Sequence, residues 1–467
     1  MSETLNGFRS CFSRSRAFHI FVILTLAMIA KQDDLGVTSL IRAVGAPPSF
    51  YLCALAFLSA ESWELATFWL KWVSIVSESN LMMVENGRIF LIADATKQSK
   101  ESRKSPGVKK LFQESEDSSK PQYINGLFFG CVSVLLRGGG KMFSCPLSCT
   151  IHDGVQPVLE WVESAVEGMT HPERIVWEAC AAAEEMGKEA WLLMDRYFFC
   201  MPAILMLNTA PGGNKVHIIT RCKKNCTGYY MPAPHTGPGR PASKGARVSL
   251  MELFSDMTKF KTKDLNYYGT KRKVSFFSIV LLKGRCTKEL TPILFVLSKV
   301  GITKSIFATT DINANPEDII EYYCLRFKIE TMFRTIKQHF MGLFSHFWSK
   351  AMPKLRRFAS AAEAVANLES IPAASRQNVI NCWKRVERLA MIMCVSIGIV
   401  QMAALKFHKA LNEAGLRWLR TANGEVPSEA STQFFLAEKI RRRETTEGLM
   451  ISEVLRQVKN GANKGVA

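Results

Sequence analysis

The sequence predicts an α/β protein whose sheet-and-helix core carries a mainly β stretch and lies between helical N- and C-terminal regions. Three observations predict it. The runs Ile89-Phe90-Leu91-Ile92-Ala93-Asp94 and Trp191-Leu192-Leu193-Met194-Asp195 are short, unbroken and apolar, and each ends in an aspartate; such runs suit central strands covered on both faces. Further β-like runs follow closely on one another at 273–283, 290–300 and 305–310. Between 319 and 337 the apolar residues change to helical spacing.

Taken in order, residues 1–80 read as a helical region. Helices are expected at 18–31 and 38–44, Gly45-Ala46-Pro47-Pro48 is a break, and a helix restarts at 49–60. Helix, short Gly/Pro turn, helix is compatible with a DNA-reading helix-turn-helix, although any small helical bundle has the same outline. The first part of the core is expected over 86–215: the Asp94 strand, a basic loop at 97–120, strands near 124–137 and 141–151, helices at 155–169 and 172–187, then the Asp195 strand. Residues 216–312, with a Gly/Pro-rich loop at 231–245, read as a mainly β insertion. The core's final helix is expected over 313–345, and a helical region over 346–467.

That final helix holds the most informative spacing in the chain. Tyr323, Arg326, Glu330 and Lys337 sit at offsets of 0, 3, 7 and 14. At about 100° per residue these fall within an arc of roughly 60°. Tyr322, Leu325, Ile329, Met332, Phe333 and Ile336 occupy the adjacent face, as a helix docked on a core requires. One carboxylate is thus presented between two cations. An ordinary amphipathic helix with a salt-bridged rim has the same periodicity, and a lone aspartate after a strand often caps a turn.

The pattern Y-x2-R-x3-E-x6-K formed by these four residues resembles the signature of the IS4 group of DDE transposases, and it is complete here. Thr309-Thr310-Asp311 followed by Pro316-Glu317-Asp318-Ile319-Ile320 resembles the lead-in to that helix. Weaker similarities lie at 51–72 with Ser62-Trp63, at 239–254, at Trp418-Leu419-Arg420-Thr421 and at Pro427-Ser428-Glu429. One departure is Ala95, where many members carry an acid or a glycine after the first aspartate. The resemblance implies a ribonuclease-H-like catalytic core with a mainly β insertion, and Asp94, Asp195 and Glu330 as its metal-binding catalytic carboxylates. It further implies that Arg326 and Lys337 grip phosphates near the transferred end, with Tyr323 packed or hydrogen-bonded beside them. The expected partners are double-stranded DNA, as inverted-repeat element ends and target, and a second copy of the chain in the DNA complex.

The residue types suit that chemistry. Phosphodiester cleavage and strand transfer are in-line displacements helped by two divalent ions roughly 4 Å apart. Hard Mg²⁺ or Mn²⁺ takes oxygen ligands, so three carboxylates can hold a pair of ions without any covalent protein nucleophile.

Charge points the same way. The net charge is +19 and the pI about 9.4, which favours a polyanion or an anionic membrane surface. The cations cluster as Lys97, Lys100, Arg103, Lys104, Lys109 and Lys110; as Lys259, Lys261, Lys263, Lys271, Arg272 and Lys273; and as Lys439, Arg441, Arg442 and Arg443. A single cluster is commonly a solvated surface; three around a carboxylate site are better explained by phosphate contacts. Thirteen cysteines show no short-chain disulfide pattern, and no cleavable signal peptide is apparent, so a reducing, nucleoid-associated cytoplasm of a bacterium or archaeon is expected. Cys145-x3-Cys149 and Cys222-x3-Cys226, near His152, are too loosely spaced to specify zinc. The apolar run 18–30 is too short to span a bilayer, and 389–405, containing Gln401, is expected to be a buried core helix. Two rival readings remain: a metal-dependent nuclease or resolvase that cleaves without joining, and a catalytically degenerate DNA-binding protein.

Overall fold

A computed structural model describes residues 1–113, 119, 121–235, 239–284, 286–414 and 425–442; the similarity at 418–421 and the cation Arg443 lie outside them. The chain is mixed α/β with helical N- and C-terminal regions. Among the described residues the strands are β1 (Val84–Glu85), β2 (Arg88–Ser99), β3 (Lys109–Phe112), β4 (Tyr123–Gly138), β5 (Lys141–Ile151), β6 (Ala190–Met194), β7 (Val216–Arg221), β8 (Thr227–Tyr229), β9 (Arg247–Ser249), β10 (Lys261–Tyr267), β11 (Thr270–Lys283), β12 (Thr291–Val300) and β13 (Thr303–Thr309). They are shared between two compact units, one formed by Met1–Met83, Ala95–His171 and Glu330–Ala467, the other by Val84–Asp94 and Pro172–Ile329.

The first unit is built on the antiparallel β4–β5 hairpin, whose apolar residues are buried. The 34-residue helix Ala373–Lys406 packs against β5 and against the helix Ser15–Ala30. From Ala17 onward Ser15–Ala30 is buried on almost every side, which makes it a central helix. Several polar groups inside this core are paired, as burial favours. Glu387 accepts from the Ile151 amide at 2.8 Å, and Gln401 Nε2 donates to the Ser144 carbonyl at 2.9 Å and to Glu429 at 2.6 Å. Gly398 lets the helix approach Trp72, because a Cβ there would lie 2.3 Å from the indole. Among the described residues Ala373–Lys406 is the one helix long and apolar enough to cross a membrane, and 89% of its apolar window is buried.

The second unit is a mixed sheet. β2, β6 and β7 are parallel neighbours; β13, β12 and β11 continue from β7 in antiparallel pairings, with β10 and β8 both paired to β11. Thus β7, at the expected start of the insertion, pairs directly with the Asp195 strand. Leu250, Phe254, Leu281, Ile293, Phe295, Leu297 and Ile306 form an apolar cluster on the antiparallel part.

Three expectations are corrected. The helix carrying the four-residue spacing is not continuous: Pro316–Leu325 ends at a turn through Arg326 and Phe327, Lys328–Arg334 follows, and Thr335–Phe340 is a π turn. Nothing in Leu325-Arg326-Phe327-Lys328 breaks a helix by propensity, so tertiary contacts impose the break, and the arc calculated for one straight helix does not hold. The helix expected over 155–169 shortens to Gln156–Trp161, and Glu163 takes a positive φ. Residues 341–360, expected to be mostly helical, contain no helix before Ala361–Glu369.

Candidate active site

Register places two of the predicted carboxylates just past the paired stretch of two neighbouring strands. Ile89 lies opposite Ala190 and Ala93 opposite Met194 on parallel β2 and β6, so the next residues in line are Asp94 and Asp195. Two apolar pentads of equal length produce this pairing. Matched residues on parallel neighbours project to one face, and the strands lie about 4.8 Å apart.

Asp94 does not end its strand, contrary to expectation, because β2 continues to Ser99; the registered pairing with β6 is what stops at Ala93. Asp195 does leave its strand. It precedes the 3-10 turn Arg196–Phe198, and its carbonyl accepts from the Phe198 amide at 3.0 Å and from Thr220 Oγ1 of β7 at 3.1 Å. The Thr220 clamp is invisible in the sequence, since it depends on which strand is β6's second neighbour.

Arg326 answers the charge of this site. Its Nη1 donates to Asp94 Oδ2 at 2.9 Å, and the two side chains are only 17% and 18% exposed. The turn that ends Pro316–Leu325 positions it: the Arg326 amide donates to the Tyr323 carbonyl, and the Ile329 amide to the Arg326 carbonyl, both at 3.1 Å.

Tyr323 is 4% exposed, with its ring 5.0 Å from that of Phe307. Burial pushes its hydroxyl up to about 12, with Arg326 lowering and Asp195 raising the value. It packs beside the charged residues and presents little surface to a ligand.

Glu330 and Lys337 belong to the other unit. Glu330 is exposed in the first turn of Lys328–Arg334. Lys337 lies half-buried in the π turn; burial lowers its ammonium pKa, against the raising influence of Cys131, Cys149 and Glu330. Cys131 and Cys149 face each other across β4 and β5 with their sulfurs 3.1 Å apart. Among the described residues, no three His, Cys, Asp or Glu side chains are gathered as a metal-binding group.

The basic clusters divide on burial. Lys100 and Lys109 are buried, donating to the Ser345 carbonyl and to Asp153, so the expectation of an open basic loop is corrected at those two positions. Desolvation lowers Lys100 to about 8. In the second cluster Lys259 precedes the β10–β11 hairpin that carries the other five, and all six cations are exposed. In the third, Lys439 is half-buried, and Arg441 donates to the last carbonyl of Ser15–Ala30 at 2.7 Å. Asp311, from the lead-in, is paired with Arg88 at 2.6 Å, and Arg88 also lies over the Trp191 ring at 4.4 Å.

No family model matches the chain, and no curated protein matches it.

Proposed function

We propose that the chain is a DDE-type DNA transposase similar to the IS4 group, which cleaves the ends of an insertion sequence and joins them to target DNA. The observation that carries this reading is that Asp94 and Asp195 each directly follow the registered stretch of two parallel neighbouring strands, with Arg326 on Asp94, inside a sequence that also holds the complete Y-R-E-K spacing. The mixed sheet with its antiparallel extension supports a ribonuclease-H-like core with a β insertion.

The donors fit hard divalent ions, because two neighbouring carboxylates offer only oxygen ligands and concentrate negative charge. Asp94 and Asp195 would hold Mg²⁺ or Mn²⁺, with Glu330 as the third carboxylate by resemblance. Bound ions would activate the attacking oxygen and stabilise the leaving one. The protein's own contributions are the parallel register that ends just before the two aspartates, the Thr220 clamp that holds the Asp195 backbone, and Arg326, a fork suited to carboxylate or phosphate. Arg326 neutralises Asp94 in the protein alone, and a DNA phosphate offers it a second partner.

Incubation of the purified protein with its flanking inverted-repeat DNA and Mg²⁺ tests the reading. Cleaved and joined products are expected. Asp94→Asn, Asp195→Asn and Glu330→Gln should each abolish cleavage while retaining DNA binding. Cleavage without joining would make the protein a nuclease or resolvase, and binding without cleavage a degenerate DNA-binding copy. Near-normal cleavage by any variant removes that residue from the triad.

A further inference from the structure

After the π turn, residues 341–359 run through the first unit without helix or ladder strand, yet their backbone is fixed. The buried Lys100 ammonium donates to the Ser345 carbonyl. The Ser349 amide donates to the Lys104 carbonyl at 2.9 Å, Leu355 to Arg103 at 3.0 Å, and the Lys110 amide to the Ala359 carbonyl at 2.7 Å. This zipper against residues 100–110 extends the chain, and an extended chain alternates its side chains. Ser345, Phe347 and Ser349 are buried, whereas His346, Trp348 and Lys350 are exposed.

The outward face has an unusual composition. Trp348 is 51% exposed on a backbone that holds it in place. Lys350, Lys354, Arg356 and Arg357 follow it, all exposed, and no acid occurs from 341 to 359. Arg356 and Arg357 make exposed bidentate pairs with Glu363 and Glu101, which a phosphate can replace at little cost. Lys350 and Lys354 form no ion pair among the described residues. A duplex backbone asks only for cations. A single strand offers both phosphates and open base faces, and aromatic rings among cations match that combination. A lipid surface would ask for a continuous apolar patch, but Phe347, next to Trp348, is turned inward.

We propose that this ribbon is a binding surface for single-stranded nucleic acid, on which a base stacks on Trp348 while Lys350 and Lys354 hold the flanking phosphates. The proposal rests on the transposase reading only for the origin of the strand, namely DNA opened at a cleaved end.

The test is fluorescence anisotropy of a labelled twelve-nucleotide oligo-dT, and of a duplex of equal length, with the full chain between 50 and 200 mM salt. Trp348→Ala should weaken oligo-dT binding about tenfold, leave the salt slope unchanged and barely affect the duplex. Trp348→Phe should bind within a few-fold of wild type. Lys350→Ala/Lys354→Ala should flatten the single-strand salt slope by about 1.4, at roughly 0.7 per phosphate contact. Circular dichroism on the same variants checks that the fold is kept. Oligo-dT affinity unchanged in Trp348→Ala would overturn the proposal, as would preference of the wild type for polyglutamate over oligo-dT. Trp348-dependent binding in a protein that cleaves no DNA would sustain the surface and remove the transposase reading; active transposition with normal oligo-dT binding by Trp348→Ala would do the reverse.

Discussion

Arg326→Ala isolates the electrostatics of the carboxylate pair. At an effective dielectric near 20, the 2.9 Å contact with Asp94 is worth roughly 6 kcal/mol before desolvation. Removing it also takes that counter-charge from the half-buried Asp94 carboxylate, set against the desolvation that the guanidinium no longer suffers. A net loss of about 2 kcal/mol is expected, between the values for exposed and fully buried pairs. For a unit of this size that corresponds to roughly 4–8 °C in melting temperature. Millimolar Mg²⁺ should recover stability in Arg326→Ala more than in wild type, because a cation then replaces the missing charge. Asp94→Asn in the same background should cancel both effects, giving a double-mutant coupling above 1 kcal/mol. Differential scanning fluorimetry with and without Mg²⁺ measures all of this. A deficit that ignores Mg²⁺ would show that Arg326 does not stand where a cation can replace it.

Lys100→Gln should flatten the alkaline side of the stability curve. With its folded pKa lowered to about 8 by burial, Lys100 is protonated in the unfolded chain and neutral in the folded one between pH 8 and about 10.5. Wild-type stability should therefore rise across that window by roughly 3 kcal/mol more than the variant's, and parallel curves in urea unfolding would refute it. Gly130→Ala should cost about 1–3 kcal/mol by overpacking, since a Cβ would lie 2.3 Å from the His152 ring, which His171 and Thr150 hold at 2.7 and 3.0 Å; denaturant midpoints within error of wild type would contradict this. Deletion of 1–80 should unfold the first unit rather than only remove a DNA reader, because Ser15–Ala30 is buried against Ala373–Lys406. A soluble truncate that keeps its remaining helical circular dichroism would show otherwise.

The strands were legible because apolar runs of matched length carry their own boundaries; β6, β12 and β13 lie close to where the pattern puts them. The matching positions of Asp94 and Asp195 at the ends of the two paired stretches were legible for the same reason, each following an equal apolar count. Other features depend on partners distant in sequence. Lys100 and Lys109 look like surface cations until Ser345 and Asp153 are seen beside them, and the sequence cannot show that Arg326 reaches a carboxylate 232 positions earlier. The helix break at Arg326 and Phe327 has no Gly or Pro to announce it. The irregular path from 341 to 359 was signalled only by Gly342 and Pro353, which the helical periodicity on either side outweighed.

The π turn at Thr335–Phe340 stores geometry in a residue count. Its wider loop accommodates one residue more than an α-helical turn, and it ends at Met341 with a left-handed φ of 46°. Any side chain there can be exchanged without altering that count, whereas deleting one residue should regularise the coil and swing everything beyond it by about 100° around the axis. At Gln338 and His339, which are not buried, substitution should therefore be tolerated where single-residue deletion is not, an asymmetry that a codon-by-codon scan would record as a gap in indels with no matching gap in missense variants at those two positions.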